Sequence, residues 1–207
     1  MSRLTICVPY RDRADHLRQF VPYILRHVDC RIVVIEQEPG KQFNRGKLVN
    51  VGWRLFGHSE LFCIHDVDML PVKADYYHAP DKIVHLATQV QQFKYRMPYG
   101  GYFGGVNIFP SAIFGQINGF YNDFWGWGAE DDDLLRRCSG LEIVRPQGRF
   151  LSLHHKHALS VPGSREFHRA NVETLKTADP NNGVHTCQFE VLQRLDLDTH
   201  TIVRVAI

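Results

Sequence analysis

Short runs of consecutive apolar residues alternate, in the first part of the chain, with a segment whose apolar residues return every third or fourth position. Residues 4–8 and 31–35 have the length and the β-branched content of buried strands. Between them, apolar positions from Ala14 to Val28 follow helical spacing, with Pro22 as an expected kink. A strand, a crossover helix and a second strand form a βαβ unit, which predicts a parallel sheet.

The remainder of the chain gives shorter patterns. Leu48, Val49, Trp53 and Phe56 predict a second helix, and residues 61–65 predict a third buried strand. The other expected elements are a strand at 83–86, a helix at 111–117 capped by Ser111, a strand at 141–144, and two strands at 189–194 and 201–205. Residues 70–97 are otherwise expected to be irregular, 149–157 give no assignment, and 163–176 predict a mobile loop with some helix.

The composition is that of a globular domain and gives no indication of nucleic-acid binding. The chain has 207 residues, 44% of them hydrophobic and 22% charged, which fits one domain spanning 1–207. Its net charge is only +2 and no basic run stands out. No apolar stretch approaches the ~20 residues of a transmembrane helix. The oligomeric state is left open.

Residues 124–133 combine aromatic, glycine and acidic residues in an unusual way. Two tryptophans alternate with glycines, and Trp127 offers a flat apolar face of the kind on which sugar rings stack. Four carboxylates, Glu130 to Asp133, follow where a helix is expected to start. The dipole of a helix N-terminus explains one or two acidic residues there. It does not explain four adjacent like charges, so a functional role is favoured over capping alone.

A second cluster of candidate residues has the chemistry of a metal site. Asp66 and Asp68 follow the third strand, where ligands bind in open α/β sheets, and in an extended segment both would point to one side. His155 and His157 would likewise share a side. Mixed carboxylate and imidazole ligands suit a borderline metal such as manganese. The alternative is that these histidines are surface residues, since the chain has 12.

A third group of residues is suited to a nucleotide diphosphate. Pro9, Arg11 and Arg13 follow the first strand, and the planar fork of arginine can donate two hydrogen bonds to a phosphate. Phe43 could stack on a base or ribose, with Arg45 nearby. The alternative is that the arginines are solvated loop residues and Phe43 is core. There is no P-loop and no GxGxxG after a strand, so phosphate binding would depend on metal and arginine.

Taken in order, these segments resemble the β-1,4-galactosyltransferase family. The matching stretches are 8–13, 43–52, 66–68, 102–106, 119–120 and 124–133, the last containing Trp-Gly-Trp-Gly-x-Glu-Asp-Asp-Asp. The resemblance extends from about Leu4 to the C-terminus. Each motif is short, but six in the family's order make a specific match.

The resemblance implies an α/β fold of the GT-A-like type, with a central, mostly parallel sheet flanked by helices. It also implies inverting transfer of galactose from UDP-galactose to a sugar hydroxyl in β-1,4 linkage, with Mn²⁺ as cofactor. Such chemistry needs one base and one cation for the departing diphosphate, which the carboxylates and the metal cluster could supply. The alternatives are a related transferase that uses UDP-GalNAc or UDP-glucose, and a catalytically silent sugar- or nucleotide-binding module.

The resemblance also assigns roles to residues. It makes Asp131 the base, with Glu130, Asp132, Trp127 and Phe167 on the acceptor side. The donor site it implies consists of Pro9, Arg11, Arg13, Phe43, Arg45, Asp66, Val67, Tyr102, Gly105 and Trp127. The metal ligands it implies are Asp68, His155 and His157, with His154 as the alternative to His157. This His-x-His arrangement resembles the branch that transfers galactose to xylose, but the acceptor is left open.

Cysteine usage bears on the compartment. Five scattered cysteines without a CxxC motif indicate reduced thiols. No signal peptide precedes Leu4, and no membrane anchor is found. We therefore expect a cytoplasmic enzyme, the alternative being an excised lumenal catalytic domain of a Golgi enzyme.

Overall fold

A computed structural model describes residues 2–155 and 163–207. The strands in these two ranges are β1 (Leu4–Tyr10), β2 (Arg31–Gln37), β3 (Leu61–His65), β4 (Met69–Lys73), β5 (Ile83–His85), β6 (Gln89–Val90), β7 (Val106–Pro110), β8 (Ile143–Val144), β9 (Arg149–Ser152), β10 (Glu190–Asp196) and β11 (Thr201–Ala206). The α-helices are α1 (Ala14–His27), α2 (Arg45–Phe56), α3 (Ser111–Gln116), α4 (Glu130–Arg137) and α5 (Ser164–Thr177).

The main sheet has eight strands in the order β10-β11-β2-β1-β3-β7-β5-β8. Its parallel pairs are β1 with β2, β1 with β3, β2 with β11, and β5 with β8, so four of the seven pairings are parallel. The predicted βαβ unit is therefore confirmed, with Pro22 inside α1. A second, three-stranded sheet has the order β4-β9-β6.

Apolar residues from successive positions of the central strand β1 pack on opposite faces of the main sheet. Leu4, Ile6 and Val8 belong to the cluster that includes Phe20 and Ile24 of α1. On the other face, Cys7 belongs to the cluster that contains the apolar residues of α2. All seven residues of β1 are buried, because helices cover both faces, and this is why its sequence is a continuous apolar run.

The sheet topology brings the ends of several strands to one edge. β1 and β3 are parallel, so the loops that follow them leave the sheet on the same side. β7 is antiparallel to β3, and its first residue, Val106, pairs with His65 at the end of β3. The glycine-rich segment before β7 therefore reaches the same edge, where Gly105 accepts a hydrogen bond from the Asp66 amide (3.2 Å).

Several local expectations are wrong. Ser111 does not cap α3: Pro110 is the capping position, and the Ser111 hydroxyl donates instead to the Gly57 carbonyl (2.5 Å). The segment 66–68 is a turn closed by a bond from the Met69 amide to the Asp66 carbonyl (3.2 Å), not an extended strand. The segment 163–176 is almost entirely the helix α5, and 70–97 includes β6 and most of β4 in addition to β5, the strand expected at 83–86.

No helix within residues 2–155 and 163–207 is both long and apolar enough to cross a membrane.

A close contact between α2 and β1 gives a test of this packing. A Cβ added at Gly52 of α2 would overlap the Cys7 Sγ. We expect Gly52→Ala to lower the free energy of unfolding, because overpacking costs about 1–3 kcal/mol and exceeds the roughly 0.5–1 kcal/mol gained by replacing a helical glycine. Adding Cys7→Ala should recover part of the loss, with a coupling of about 1 kcal/mol or more in a denaturant double-mutant cycle. Additive effects would contradict the contact.

Candidate active site

A cavity of about 400 Å³ opens at the edge where β1 and β3 end. Ten residues selected from the sequence line it: Pro9, Arg11, Arg13, Phe43, Arg45, Asp66, Val67, Asp68, Trp127 and Glu130. Gly126 of the Trp-Gly-Trp-Gly motif also lines it, as do four residues that sequence reasoning missed: Asp12, His16, Gln42 and Ser164. His16 could have been suspected, since it lies in the first turn of α1 directly after the arginine loop, but no spacing signal marks Gln42 or Ser164.

The guanidinium of Arg45 connects the two acidic segments of the site. Its Nε donates to Asp66 Oδ1 (2.8 Å) and its Nη1 donates to Asp131 Oδ1 (2.9 Å). Its Nη2 is buried and has no hydrogen-bond partner within the described part of the chain. Only 11% of the Arg45 side chain is exposed, and it lies 5.8 Å from the centre of the Phe120 ring. Arg45 therefore lines the cavity and carries one buried N–H group that no described residue satisfies.

Local sequence fixes this guanidinium at the start of α2. Asn44 caps the helix by accepting from the Lys47 amide (2.9 Å) and donates to the Asn122 carbonyl (2.7 Å). Nearly two turns later, Asn50 exchanges hydrogen bonds with the backbone of Phe120 (2.7 and 2.9 Å). The first turns of α2 are thus fastened to the segment that leads into the Trp-Gly-Trp-Gly loop, which sets the distance between Arg45 and the acidic helix α4.

The charges around Arg45 shift one another's protonation. Burial alone would lower the pKa of the Arg45 guanidinium, but Asp131, Asp66 and Glu130 raise it above its usual value. Burial raises the pKa of Asp131 to about 8; Arg45 opposes this, and the negative charge of Glu130 adds to it. The pKa values of Asp66 and Glu130 are also raised overall, because the effect of burial exceeds the opposing effect of Arg45. The cluster therefore holds more carboxylate than its single cation neutralises.

The four adjacent carboxylates of α4 have different surroundings. Asp131 faces Arg45, and buried Glu130 lines the cavity. Asp132 is exposed, accepts a bond from the Tyr99 hydroxyl (3.3 Å) and does not belong to the cavity lining. Asp133 is fully buried and pairs with Arg136 (2.5 Å) and Arg137 (2.7 Å) of its own helix. Glu130 and Asp131 therefore face the site, whereas Asp133 stabilises the helix α4 through its ion pairs.

Tyr102 and Gly105 lie beside the cavity and not in its lining. A Cβ on Gly104 would lie 2.8 Å from Asp131 Oδ2 and 2.9 Å from Tyr102 Cε2, so the tyrosine ring and this carboxylate meet across a glycine. Gly105 has a φ of +86° and would direct a Cβ into the Met69 and Ala87 side chains. Positions 104 and 105 therefore both require glycine because a Cβ would not fit, and position 105 also requires it because of its positive φ.

The candidate metal ligands Asp68 and His155 are brought together from distant parts of the sequence. His155 Nε2 lies 2.6 Å from Asp68 Oδ2, across 87 residues of sequence. The His16 ring lies 6.1 Å from that of His155, and its Nε2 contacts the His154 carbonyl (3.3 Å). Within the described ranges, no group of three His, Cys, Asp or Glu residues could hold a metal ion. His157 falls in 156–162, outside the described residues.

The helix α5 covers the Trp-Gly-Trp-Gly loop. Phe167 does not line the cavity: it packs on Gly126, where a Cβ would lie 2.9 Å from the Phe167 Cβ. The His168 ring lies 5.0 Å from that of Trp127, which is 40% exposed. The loop is therefore enclosed by α5 on one side and open to the cavity on the other.

The raised pKa of Asp131 predicts a pH-dependent stability. In the unfolded chain Asp131 loses its proton near pH 4, whereas in the folded, metal-free protein it keeps it up to about pH 8. Folding stability from this group is thus present below pH 4 and lost as pH rises to 8. In urea unfolding, the free energy of unfolding of Asp131→Asn should increase relative to that of the wild type over this range, by at most about 1.4 kcal/mol per pH unit. A constant difference between pH 5 and pH 8 would contradict the raised pKa of this carboxyl.

Comparison with known proteins places these features in a family. The model for the N-terminal region of glycosyl transferase group 7 matches residues 1–79, and the model described as the N-terminal domain of galactosyltransferase matches residues 84–156. Human beta-1,4-galactosyltransferase 2 is 35% identical over 208 residues, covering 92% of this chain and 55% of that protein. The chain spans about half the length of the curated relatives it matches.

Solved structures agree with the sequence matches. The catalytic domain of Drosophila beta1,4galactosyltransferase 7, crystallised with xylobiose, is 29% identical with a TM-score of 0.83 and covers 99% of this chain and 93% of that one. A mutant of the same protein, in complex with manganese, UDP-Gal and xylobiose, gives a TM-score of 0.84. The predicted GT-A α/β fold is therefore confirmed, with a mixed sheet of eight strands. Since two consecutive family models together match most of residues 1–156 and relatives of the same name match beyond them, the chain belongs to the β-1,4-galactosyltransferase family.

Proposed function

We propose that residues 1–207 form a single catalytic domain that transfers galactose from UDP-galactose, with inversion and with Mn²⁺, to a sugar hydroxyl in β-1,4 linkage. The observation that carries the proposal is the Arg45 guanidinium, which holds Asp66 and Asp131 together beside a cavity of about 400 Å³. Family membership supports it, as does the related Drosophila structure that contains manganese, UDP-Gal and xylobiose.

The donor is proposed to bind along the arginine side of the cavity. Arg11 and Arg13 supply positive charge for the diphosphate. The Arg11 guanidinium lies 5.3 Å from the centre of the Phe43 ring, so a uridine stacked on Phe43 would lie next to the diphosphate. The unpaired Arg45 Nη2 is a buried donor that an oxygen of the donor sugar or diphosphate would satisfy. Asp66 and Val67 complete this wall, with Tyr102 and Gly105 behind it.

Asp68, which lines the cavity, and His155, which contacts it, fit a manganese ion in chemical type. Asp68 offers a carboxylate and His155 an imidazole, already within 2.6 Å of each other, which is the mixed oxygen and nitrogen set that suits manganese. We propose His157 as a further ligand, with His154 as the alternative. When bound, the ion would neutralise charge on the departing diphosphate.

Asp131 is proposed as the general base. The oxygen of the acceptor hydroxyl attacks the anomeric carbon of galactose, the bond from that carbon to UDP breaks, and the hydroxyl proton passes to the Asp131 carboxylate. Arg45 occupies one carboxylate oxygen, Oδ1, while Oδ2 lies toward Gly104 and Tyr102. A carboxylate whose pKa is raised toward 8 is a stronger base than an exposed aspartate once it is ionised.

The acceptor is proposed to lie against the Trp127 face, between the cavity and α5. Glu130 lines this region, and Asp132 and Phe167 flank it from α4 and α5. The xylobiose in the Drosophila structure makes a xyloside the first acceptor to test. Transfer from UDP-GalNAc or UDP-glucose, and a silent binding module, are the competing functions, and a donor and acceptor array that measures UDP release separates all three.

Replacing Asp131 tests the proposed base. Asp131→Asn keeps the shape and removes the proton acceptor, so kcat should fall on the order of 10²–10⁴-fold. Binding of UDP and Mn²⁺, followed by calorimetry, should survive because these ligands lie mainly against other residues. If Asp131→Asn turns over normally while Glu130→Gln or Asp132→Asn does not, the base has been placed on the wrong member of the run.

Metal removal tests the second half of the mechanism. Chelation should abolish transfer, and Mn²⁺ should restore it better than Mg²⁺, because an imidazole ligand disfavours magnesium. Asp68→Ala and His155→Ala should each weaken Mn²⁺ binding measured by calorimetry. Comparison of His154→Ala with His157→Ala identifies the further ligand. Full activity in excess chelator would rule out the metal.

The compartment is proposed from the cysteines. All five are free thiols, and four of them are buried. Burial raises the pKa of Cys138 to about 12 and that of Cys187 to about 11, so these thiols stay protonated and unreactive at neutral pH. This supports a reducing, cytoplasmic setting, with a lumenal domain of a longer Golgi enzyme as the alternative. Fractionation of the source cells distinguishes the two.

A further inference from the structure

Asn171 lies midway along α5 and is almost completely buried, with 3% of its surface exposed. Its side-chain amide donates to the backbone carbonyls of Trp125 (3.0 Å) and Gly128 (3.0 Å), with a longer contact to that of Trp127 (3.4 Å). It is the one buried residue of α5. A side-chain amide has two N–H donors, so both are directed at this single loop.

The loop that Asn171 contacts has an unusual backbone. Gly126 and Gly128 have φ values of +79° and +101°, and Ala129, which is not glycine, has a φ of +73°. Left-handed backbone at a non-glycine residue persists only where its surroundings hold it. On the side away from α5, the Gly126 amide donates to the Phe43 carbonyl (2.8 Å). The loop is therefore held between a donor-side residue and a residue of α5.

Packing places the same constraint on the loop as the hydrogen bonds. Phe167 and His168 lie so close to Gly126 and Gly128 that neither glycine has room for a Cβ. The Trp127 ring between them lines the cavity, and α4 with Asp131 begins directly after Ala129. Any relaxation of the carbonyls at Trp125 and Gly128 would move both the Trp127 face and the start of α4.

We infer that Asn171 is a positioning residue for sugar binding: its amide holds the carbonyls of the Trp-Gly-Trp-Gly loop so that Trp127 faces the cavity. The inference rests on the proposed function, in which the acceptor sugar lies against Trp127. Within the described ranges, Asn171 contacts the loop only through the backbone carbonyls of Trp125, Trp127 and Gly128, and it contacts no residue proposed to hold the uridine, the diphosphate or the metal, so it acts on the bound sugar through the loop.

The experiment compares Asn171→Asp and Asn171→Ala with the wild type. Asparagine and aspartate have nearly the same shape, but a carboxylate facing two carbonyls cannot donate to them, and alanine removes the donor with little added strain. We expect KM for the acceptor to rise roughly tenfold with a smaller change in kcat, because the Trp125 and Gly128 carbonyls lose the donor that holds this loop. Calorimetric binding of UDP with Mn²⁺ should be unchanged.

A second readout is independent of turnover. Hydrogen exchange of the amides from Gly126 to Asp131 in the ligand-free protein should accelerate about tenfold in both variants. If the wild type binds UDP but transfers nothing, the proposed function fails, and the exchange rates still decide whether Asn171 holds the loop. If one variant does not fold, the other supplies both measurements.

Asn118→Asp is the matched control. The Asn118 amide also donates to two backbone carbonyls, those of Pro180 (2.9 Å) and Asn181 (3.0 Å), but Asn118 does not line the cavity. This variant should lower Tm without changing the acceptor KM or the exchange at Gly126 to Asp131. The inference is overturned if the Asn171 variants keep a normal acceptor KM and normal exchange, or if the Asn118 variant changes both equally.

Discussion

The buried guanidinium of Arg45 is the constraint on which the rest of the site depends. A charge removed from water costs several kcal/mol unless it is paired and hydrogen-bonded. Arg45 meets this condition only because Asp66, after β3, and Asp131, on α4, both reach it. Neither carboxylate is near the other in sequence, so this one cation fixes the spacing between the strand edge and the acidic helix. Losing either carboxylate would leave the cation under-compensated, which couples folding to the geometry of the site.

The same cluster shows a conflict between stability and chemistry. Three carboxylates, Asp66, Glu130 and Asp131, share one buried cation, and burial raises the pKa of each. A sequence selected for stability alone would not concentrate acid there. Asp133, about one turn further along α4, has two arginine partners on its own helix and therefore no excess negative charge. Within this acidic run, Glu130 and Asp131 therefore add unneutralised negative charge at the site, whereas Asp133 forms ion pairs that stabilise the helix.

The sequence predicts those parts of the fold whose environment is uniform along the element. β1 and β3 are buried on both faces, so their apolar runs are unambiguous, and the residues that follow them were correctly placed at one edge of the sheet. Apolar periodicity does not predict α5, because this helix buries only Asn171 and a polar residue gives no hydrophobic signal. The contact of Asp68 with His155 spans 87 residues. Only tertiary structure, or the family resemblance, could bring such a pair together.

The glycines of the Trp-Gly-Trp-Gly loop restrict how the site can change during evolution. Gly126 and Gly128 are fixed twice, once by left-handed backbone and once by the side chains of Phe167 and His168 packed against them. A larger residue at either position would require a change of conformation and a smaller partner on α5 at the same time. Single substitutions are much more accessible on α5 itself, where most side chains other than Asn171 lie at the surface. Divergence in sugar preference among related sequences is therefore expected to appear as variation in this helix around an unchanging loop.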